Sequence, residues 1–322
     1  MKRLVNFFIL VINEIIKIFT KISTCIFIFL LIVIIAFIAI KAPAKVSKHA
    51  YINKLSSEVQ QKEKKYGAVT AKDIKKEDNL FSFIDKKDYV LNKYALQHNI
   101  IYNYTSLWSI VNKALLLEYM VGIFLIIAAA NIVSNEYKDG TIKFLLIRPY
   151  KRWQILLSKW TALLALYFGF ILLIITVSII IGGLKYGFDG FNMKDLYISN
   201  TGFVKERSML VYQLILFAGK SINDIMAFSI AFMLSTIIKN NSLAIVGSVA
   251  VLFSGFILSL FGNRYWWIRF TPFPHMDLTQ YLPDSTPLIN GCTITYSAII
   301  LLLYFTVIHA VTIYVFGKRT ID

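Results

Sequence analysis

From Ile22 to Ile40 the chain runs through 19 consecutive residues without a charge. At 1.5 Å per residue a helix of that length reaches about 28 Å, one crossing of the ~30 Å hydrocarbon core of a bilayer. Apolar blocks of this kind recur at Leu115–Val133, Gln154–Gly183, in a segment ending at Ile238, at Leu243–Phe261 and at Ile294–Phe316. Hydrophobic residues make up 57% of the 322, charged residues 16%, and mean hydropathy is +0.64. Soluble domains average about 45–50% apolar and about 25% charged, so a soluble globular fold is excluded. The sequence predicts an all-α polytopic membrane protein with six transmembrane helices (span one at 22–40), an interfacial amphipathic helix before them at 1–21, and a small, mainly helical extracellular domain at 41–113.

The first 21 residues are apolar on one side only. Arg3, Asn6, Asn13, Lys17 and Lys21 recur at spacings near multiples of 3.6, the pattern of a helix lying in the interface with its cations among headgroups. Ala42-Pro43-Ala44 resembles a signal-peptide cleavage site. However, the apolar run before it exceeds the 7–15 residues of a signal core, so span one is expected to stay uncleaved. Lys41 to Lys113 then turns polar, with helix-compatible apolar spacing at Tyr51, Leu55 and Val59 and again at Tyr89, Leu91, Tyr94 and Ala95; this is the inserted domain.

Short basic loops set the orientation. Lys138, Lys143, Arg148, Lys151 and Arg152 crowd the connection between spans two and three (135–153), Lys239 follows span four, and Lys318-Arg319 follows span six. The positive-inside rule puts these loops and both termini in the cytoplasm, in a multi-pass protein of the plasma membrane. The inserted domain is too long to take part in that rule, so its lysines do not count. The same placement of cations beside apolar segments assigns the net charge of +16 to membrane lipids rather than to nucleic acid. Arg264-Tyr265-Trp266-Trp267 and Pro272, Pro274, Pro283 and Pro287 predict a broken, aromatic outer segment between spans five and six.

Catalytic patterns are missing. The four histidines are isolated, and two cysteines, Cys25 and Cys292, cannot build a metal cage or a disulfide framework. Gly219-Lys220-Ser221 ends like a phosphate-binding loop, but the first glycine would fall at Leu214 and the surroundings are an apolar helix. No cofactor is expected on this chain. Lys220 and Asp224, at i,i+4 in span four, form either a structural pair near the outer boundary or contacts of a translocation path. Ala244, Ser248 and Gly255 give span five a small-residue side, suited either to packing within the chain or to a dimer seam.

The stretch from Glu136 to Lys159 is the most informative. Gly140 permits a bend, Thr141-Ile142-Lys143-Phe144-Leu145-Leu146 makes one amphipathic turn, and Arg148-Pro149 ends it. Glu136 and Arg152 flank this short element and can fix its approach to the membrane. It is either a crosswise helix that docks in a partner's groove or an ordinary basic loop.

Glu136, Gly140, Thr141, Leu145, Leu146, Pro149, Arg152, Ser158 and Lys159, at these spacings, resemble the signature of ABC-2 type transporter permeases. The likeness is greatest to Gram-positive members used for peptide-antibiotic export and immunity or for sodium efflux. It extends over nearly the whole chain, the outer domain excepted. It implies that the span two–three loop, Arg148 included, is a coupling helix contacting a separate ABC ATPase subunit, which holds ATP and Mg, and that a second permease subunit completes the pathway. The chain itself is then no enzyme but the permease of an exporter. The rival reading is a membrane-anchored sensor or enzyme whose 41–113 domain is the active part. A hydrophobic or cationic peptide, a lipid-like drug and a sodium ion all stay open as substrates.

Overall fold

In hydrocarbon a backbone must satisfy its own hydrogen bonds, which leaves helices as the form for apolar runs of this length. The computed structural model describes residues 2–67, 69–71, 74, 80–102, 104–141, 150–199, 201–238, 240–283 and 285–318. Its helices are α1 (Lys2–Phe19), α2 (Ile22–Lys41), α3 (Lys48–Tyr66), α4 (Leu80–Gln97), α5 (Leu107–Ala114), α6 (Leu117–Lys138), α7 (Arg152–Tyr186), α8 (Met209–Ile237), α9 (Asn241–Leu260) and α10 (Ile294–Lys318). Among the described residues six segments are long and apolar enough to cross a membrane: α2, α5 with α6, α7, α8, α9 and α10. The second of them begins at Leu107, eight residues before the start read from the sequence at Leu115, because Leu107, Trp108, Ile110 and Val111 are already buried against the bundle.

Helices α6 and α8 make the most extensive contact, and α7 runs across α1, α2, α5 and α6. Val121, Leu125 and Ala129 of α6, Leu163, Leu166, Phe170 and Ile174 of α7, and Phe228 and Phe232 of α8 meet Leu31 and Ile35 of α2 in one core. The three- and four-residue spacing of these positions is what turns one stripe of each helix inward. Phe27 stacks on Phe124 at 4.3 Å and meets Phe170 edge-on at 5.3 Å. Ile22, Ile26, Phe29, Leu243, Val246, Phe253, Phe256 and Leu302 remain exposed; apolar surface of that extent is intolerable in water and ordinary in lipid.

Ala244, Ser248 and Gly255 of α9 all turn inward, so this face packs within the chain. The prolines after α9 break the backbone into three short 3-10 turns, Trp266–Phe270, Phe273–His275 and Leu278–Tyr281. The middle turn drops Phe273 onto Gly255, where a Cβ would lie 2.1 Å from the ring. His275 anchors the segment, its Nδ1 2.7 Å from Ser297 Oγ and its Nε2 2.8 Å from the Arg269 carbonyl oxygen.

Outside the bundle, α3 and α4 pack through Leu55, Val59, Tyr89, Val90, Leu91 and Ala95. Asp85 accepts from Tyr66 at 2.6 Å and pairs with Lys62 at 2.7 Å; the hydrogen bonds from Lys62, Tyr66 and Lys65 hold its carboxyl well below the usual range. By sequence Lys185–Ser208, between spans three and four, is a polar loop with balanced charges. The structure instead forms an antiparallel hairpin there, β1 (Lys194–Ile198) and β2 (Val204–Ser208). Its Leu196 completes the α3–α4 core, a partner too far away in sequence for local patterning to reveal.

Replacing Gly255 by Leu should force the 3-10 segment off α9. Overpacking of this kind costs about 1–3 kcal/mol, and a thermal unfolding scan in detergent should record a lower midpoint for this variant than for Gly247→Leu, whose Cβ would make only an ordinary contact, 3.6 Å from Ile238 Cδ1.

Candidate functional site

The C-terminal turns of α6 and the first turns of α7 enclose the flanks of the signature stretch. Glu136 sits on α6 at 2% exposure and Lys159 on α7 at 0%. Lys159 Nζ is 2.5 Å from Glu136 Oε1 and 2.8 Å from Glu14 Oε1, and Lys17 Nζ reaches Glu136 Oε1 at 2.7 Å. Two carboxylates and two ammonium groups thus meet at the junction of α1, α6 and α7, with formal charges that cancel. Burial disfavours the Lys17 ammonium, yet the hydrogen bond and charge of Glu136 outweigh it and hold its pKa above the ordinary lysine value. Oε2 of Glu14 and of Glu136 is buried with no donor among the described residues.

Sequence reasoning placed Glu136 and Lys159 in the signature but missed Glu14, and assigned Lys17 to headgroups. A signal was present. Glu14 is the one acidic residue of α1, and it falls between Leu10 and Ile18 on the buried face, where an unpaired charge would be costly.

Gly140 closes α6 with φ +67°, the left-handed conformation that glycine adopts without penalty, and Thr141 Oγ1 donates back to the Glu136 carbonyl at 3.5 Å. Arg152 opens α7 and donates to the Gly317 carbonyl at 2.9 Å, tying this loop to the end of α10. Leu145, Leu146, Arg148 and Pro149 lie outside the described residues.

A second polar group lies within the bundle. Tyr167 of α7 donates to Glu118 Oε1 of α6 at 2.8 Å and lies 2.9 Å from Ser221 Oγ of α8. Asp224 is 5% exposed and presses against Gly122, where a Cβ would stand 2.6 Å from its Oδ1. The expected i,i+4 pair of Lys220 with Asp224 does not form. Lys220 Nζ sits over the Tyr119 ring at 5.0 Å, while Asp224 takes Asn223 Nδ2 at 3.3 Å. The room left by Gly122 draws the carboxylate towards α6, and the exposed aromatic draws the ammonium away. Glu118 Oε2 and Asp224 Oδ2 are buried without donors among the described residues, so α6, α7 and α8 share a carboxylate-rich interior. Glu118, Tyr167 and Ser221 were not legible as site residues, because each is a single polar letter inside an apolar block.

Lys159→Met should strand the buried Glu14 carboxylate and leave Glu136 to Lys17 alone, at a cost of about 3–5 kcal/mol, whereas Glu14→Gln should cost less because Glu136 still pairs with both lysines. Thermal unfolding of the full chain in detergent checks the order, and equal midpoints for the two variants would contradict this account of the junction.

The family model described as a protein of unknown function, DUF2705, matches residues 74–321, spanning Glu118, Glu136, Lys159 and Asp224. The uncharacterized protein YhcI of Bacillus subtilis (strain 168) is 34% identical over 319 residues, 97% of this chain and 98% of its own. The uncharacterized membrane protein YdbK of the same organism is 29% identical over 200 residues, 61% of this chain and 76% of its own. No solved structure matches. With six apolar helices of spanning length, the chain is a multi-pass membrane protein, and by the match over residues 74–321 it belongs to the DUF2705 family.

Proposed function

We propose that this chain is the membrane-spanning permease subunit of an ATP-binding cassette exporter of the ABC-2 type, working with a separate ATPase and a second permease. The observation that carries the reading is the buried Lys159–Glu136 pair. It clamps together the two helices that enter and leave the signature loop, inside the very stretch whose spacing resembles such permeases. A push on that loop cannot be absorbed by fraying of α6 or α7. It passes into both helices, and through Glu14 and Lys17 into α1. Chemistry belongs to the partner, since Gly219-Lys220-Ser221 lies in the middle of α8 rather than in a loop that could cradle phosphate.

In this reading α1 lies in the cytoplasmic interface, the α3–α4 domain and the hairpin lie outside, and both termini are cytoplasmic. The Glu118–Tyr167–Ser221–Asp224 cluster lines the route that opens when α6 and α8 part. Ionisable groups inside spans are expensive to keep and mark pathways more often than packing.

Orientation is tested by thiol labelling of intact cells, in a chain with Cys25 and Cys292 replaced by Ala. Ser57→Cys and Ser199→Cys should react with an impermeant maleimide and Asn241→Cys should not; labelling of Asn241→Cys from outside contradicts the map. Coupling is tested by Leu145→Asp with Leu146→Asp. Charge buried without a partner in a docked interface costs several kcal/mol, so the double variant should insert normally yet lose its ATPase on co-purification. Retention of the ATPase at wild-type levels would reduce the loop to a basic connection.

A further inference from the structure

Where α2 and α7 end and α5 begins, the chain encloses a cavity of about 430 Å³. Three features of its wall point to one kind of ligand. Lys45 and Lys48 line it with a single acid, Asp189, whose Oδ2 and the Lys45 Nζ both lie over Gly187, 3.7 and 3.4 Å from where its Cβ would stand. The wall also includes Ser47 and Ser106, the N-cap residues of α3 and α5; Ser47 Oγ takes the Ala50 N–H, and the positive ends of two helix dipoles stand at the wall. Ser106 is 4% exposed and shares a capping box with Ser109, and its hydroxyl donates to no acceptor among the described residues.

The space is held open by the backbone. Gly187 has φ +86°, and a Cβ there would come within 3.4 Å of Lys45 Nζ. Lys185 Nζ donates to the Ala39 and Ala42 carbonyls at 2.5 and 2.6 Å, and Tyr186 donates to the Pro43 carbonyl at 2.7 Å. The ends of α2 and α7 are therefore pinned to each other beside the opening, and the cavity does not depend on loose side chains for its shape. It lies beside Lys41, Leu107 and Tyr186, where three of the apolar spans end. Around it, Ile40, Leu184 and Phe188 are exposed at 75%, 79% and 54%, an apolar collar suited to acyl chains.

We propose that this cavity binds the phosphate-bearing headgroup of an anionic phospholipid at the junction between the bundle and the α3–α4 domain. The two lysines, the two helix N-termini and the Ser106 hydroxyl supply donors to the phosphate, while the lipid tails lie along the exposed ends of α2 and α7. This site is at the opposite end of α7 from the Lys159 junction and does not rest on the exporter reading.

The test is native mass spectrometry of the full chain exchanged into phosphatidylglycerol or phosphatidylcholine, read as lipid retained per chain. Wild type should retain phosphatidylglycerol preferentially. Lys45→Gln with Lys48→Gln should cut that retention roughly tenfold or more, since each lysine beside anionic lipid is worth about a fivefold factor. Asp189→Asn, an exposed position, should raise retention about two- to fivefold by removing a like charge. Lys54→Gln with Lys64→Gln, exposed lysines away from the cavity, should change nothing. Equal retention of the two lipids, loss on the control substitutions, or no response to Asp189→Asn overturns the proposal. So does displacement of the lipid by millimolar inorganic phosphate without any preference for phosphatidylglycerol, which would make the ligand a soluble anion.

Discussion

A fully buried ammonium is tolerated only where negative charge meets it at hydrogen-bond distance, and Lys159 meets two carboxylates. The arrangement of this end of the molecule follows from that demand. Glu136 fixes where α6 must stop, Lys159 fixes how far α7 must enter before its polar first turn is left behind, and Glu14 obliges α1 to lie against both. In an apolar bundle where one helix slides easily past another, such a pairing sets a register that leucines alone do not set. The stitching by Arg152 to the last turn of α10 and by Ser134 Oγ to Asn241 Oδ1 at 3.4 Å extends the same constraint around the loop end.

The rest of the bundle is held by closeness rather than charge. Lipid is as apolar as leucine, so association depends on packing. Small residues stand where helices approach: Gly122 against Asp224, Gly182 against the Leu107 backbone, Gly255 under Phe273. The polar interior formed by Glu118, Tyr167, Ser221 and Asp224 sits where Tyr167 of α7 joins α6 and α8. A change in the spacing of those three helices therefore changes the hydration of two carboxylates directly.

The spans were legible because 3.6-residue periodicity and unbroken hydropathy are local properties, and the positions that predict α3 and α4, such as Leu55 and Leu91, are the ones buried in them. What was not legible was long-range. Leu196 finds its core among residues about a hundred or more positions earlier in the chain, so β1 and β2 read as a loop. Lys220 and Asp224 share a helix face, and the rule for i,i+4 neighbours predicts a pair; Gly122 and Tyr119, on another helix, decide otherwise. Glu14 belonged to the same class of error. Its chemistry is set by Lys159, and no window along α1 contains that lysine.

The separation of Glu14 from Lys159 also orders the making of the protein. Glu14 is synthesised 145 residues ahead of the ammonium that neutralises it, an interval of roughly 7–30 s at ribosomal speeds of about 5–20 residues per second. During that time the acid of α1 has only the cations of its own helix near it, Lys17 one turn on, which favours the water boundary over the lipid core. Only when α7 has been threaded does the nascent chain hold the cation that lets α1 settle. A helix made long before α7 is thereby among the last to find its place, and its seating reports that α7 has been delivered.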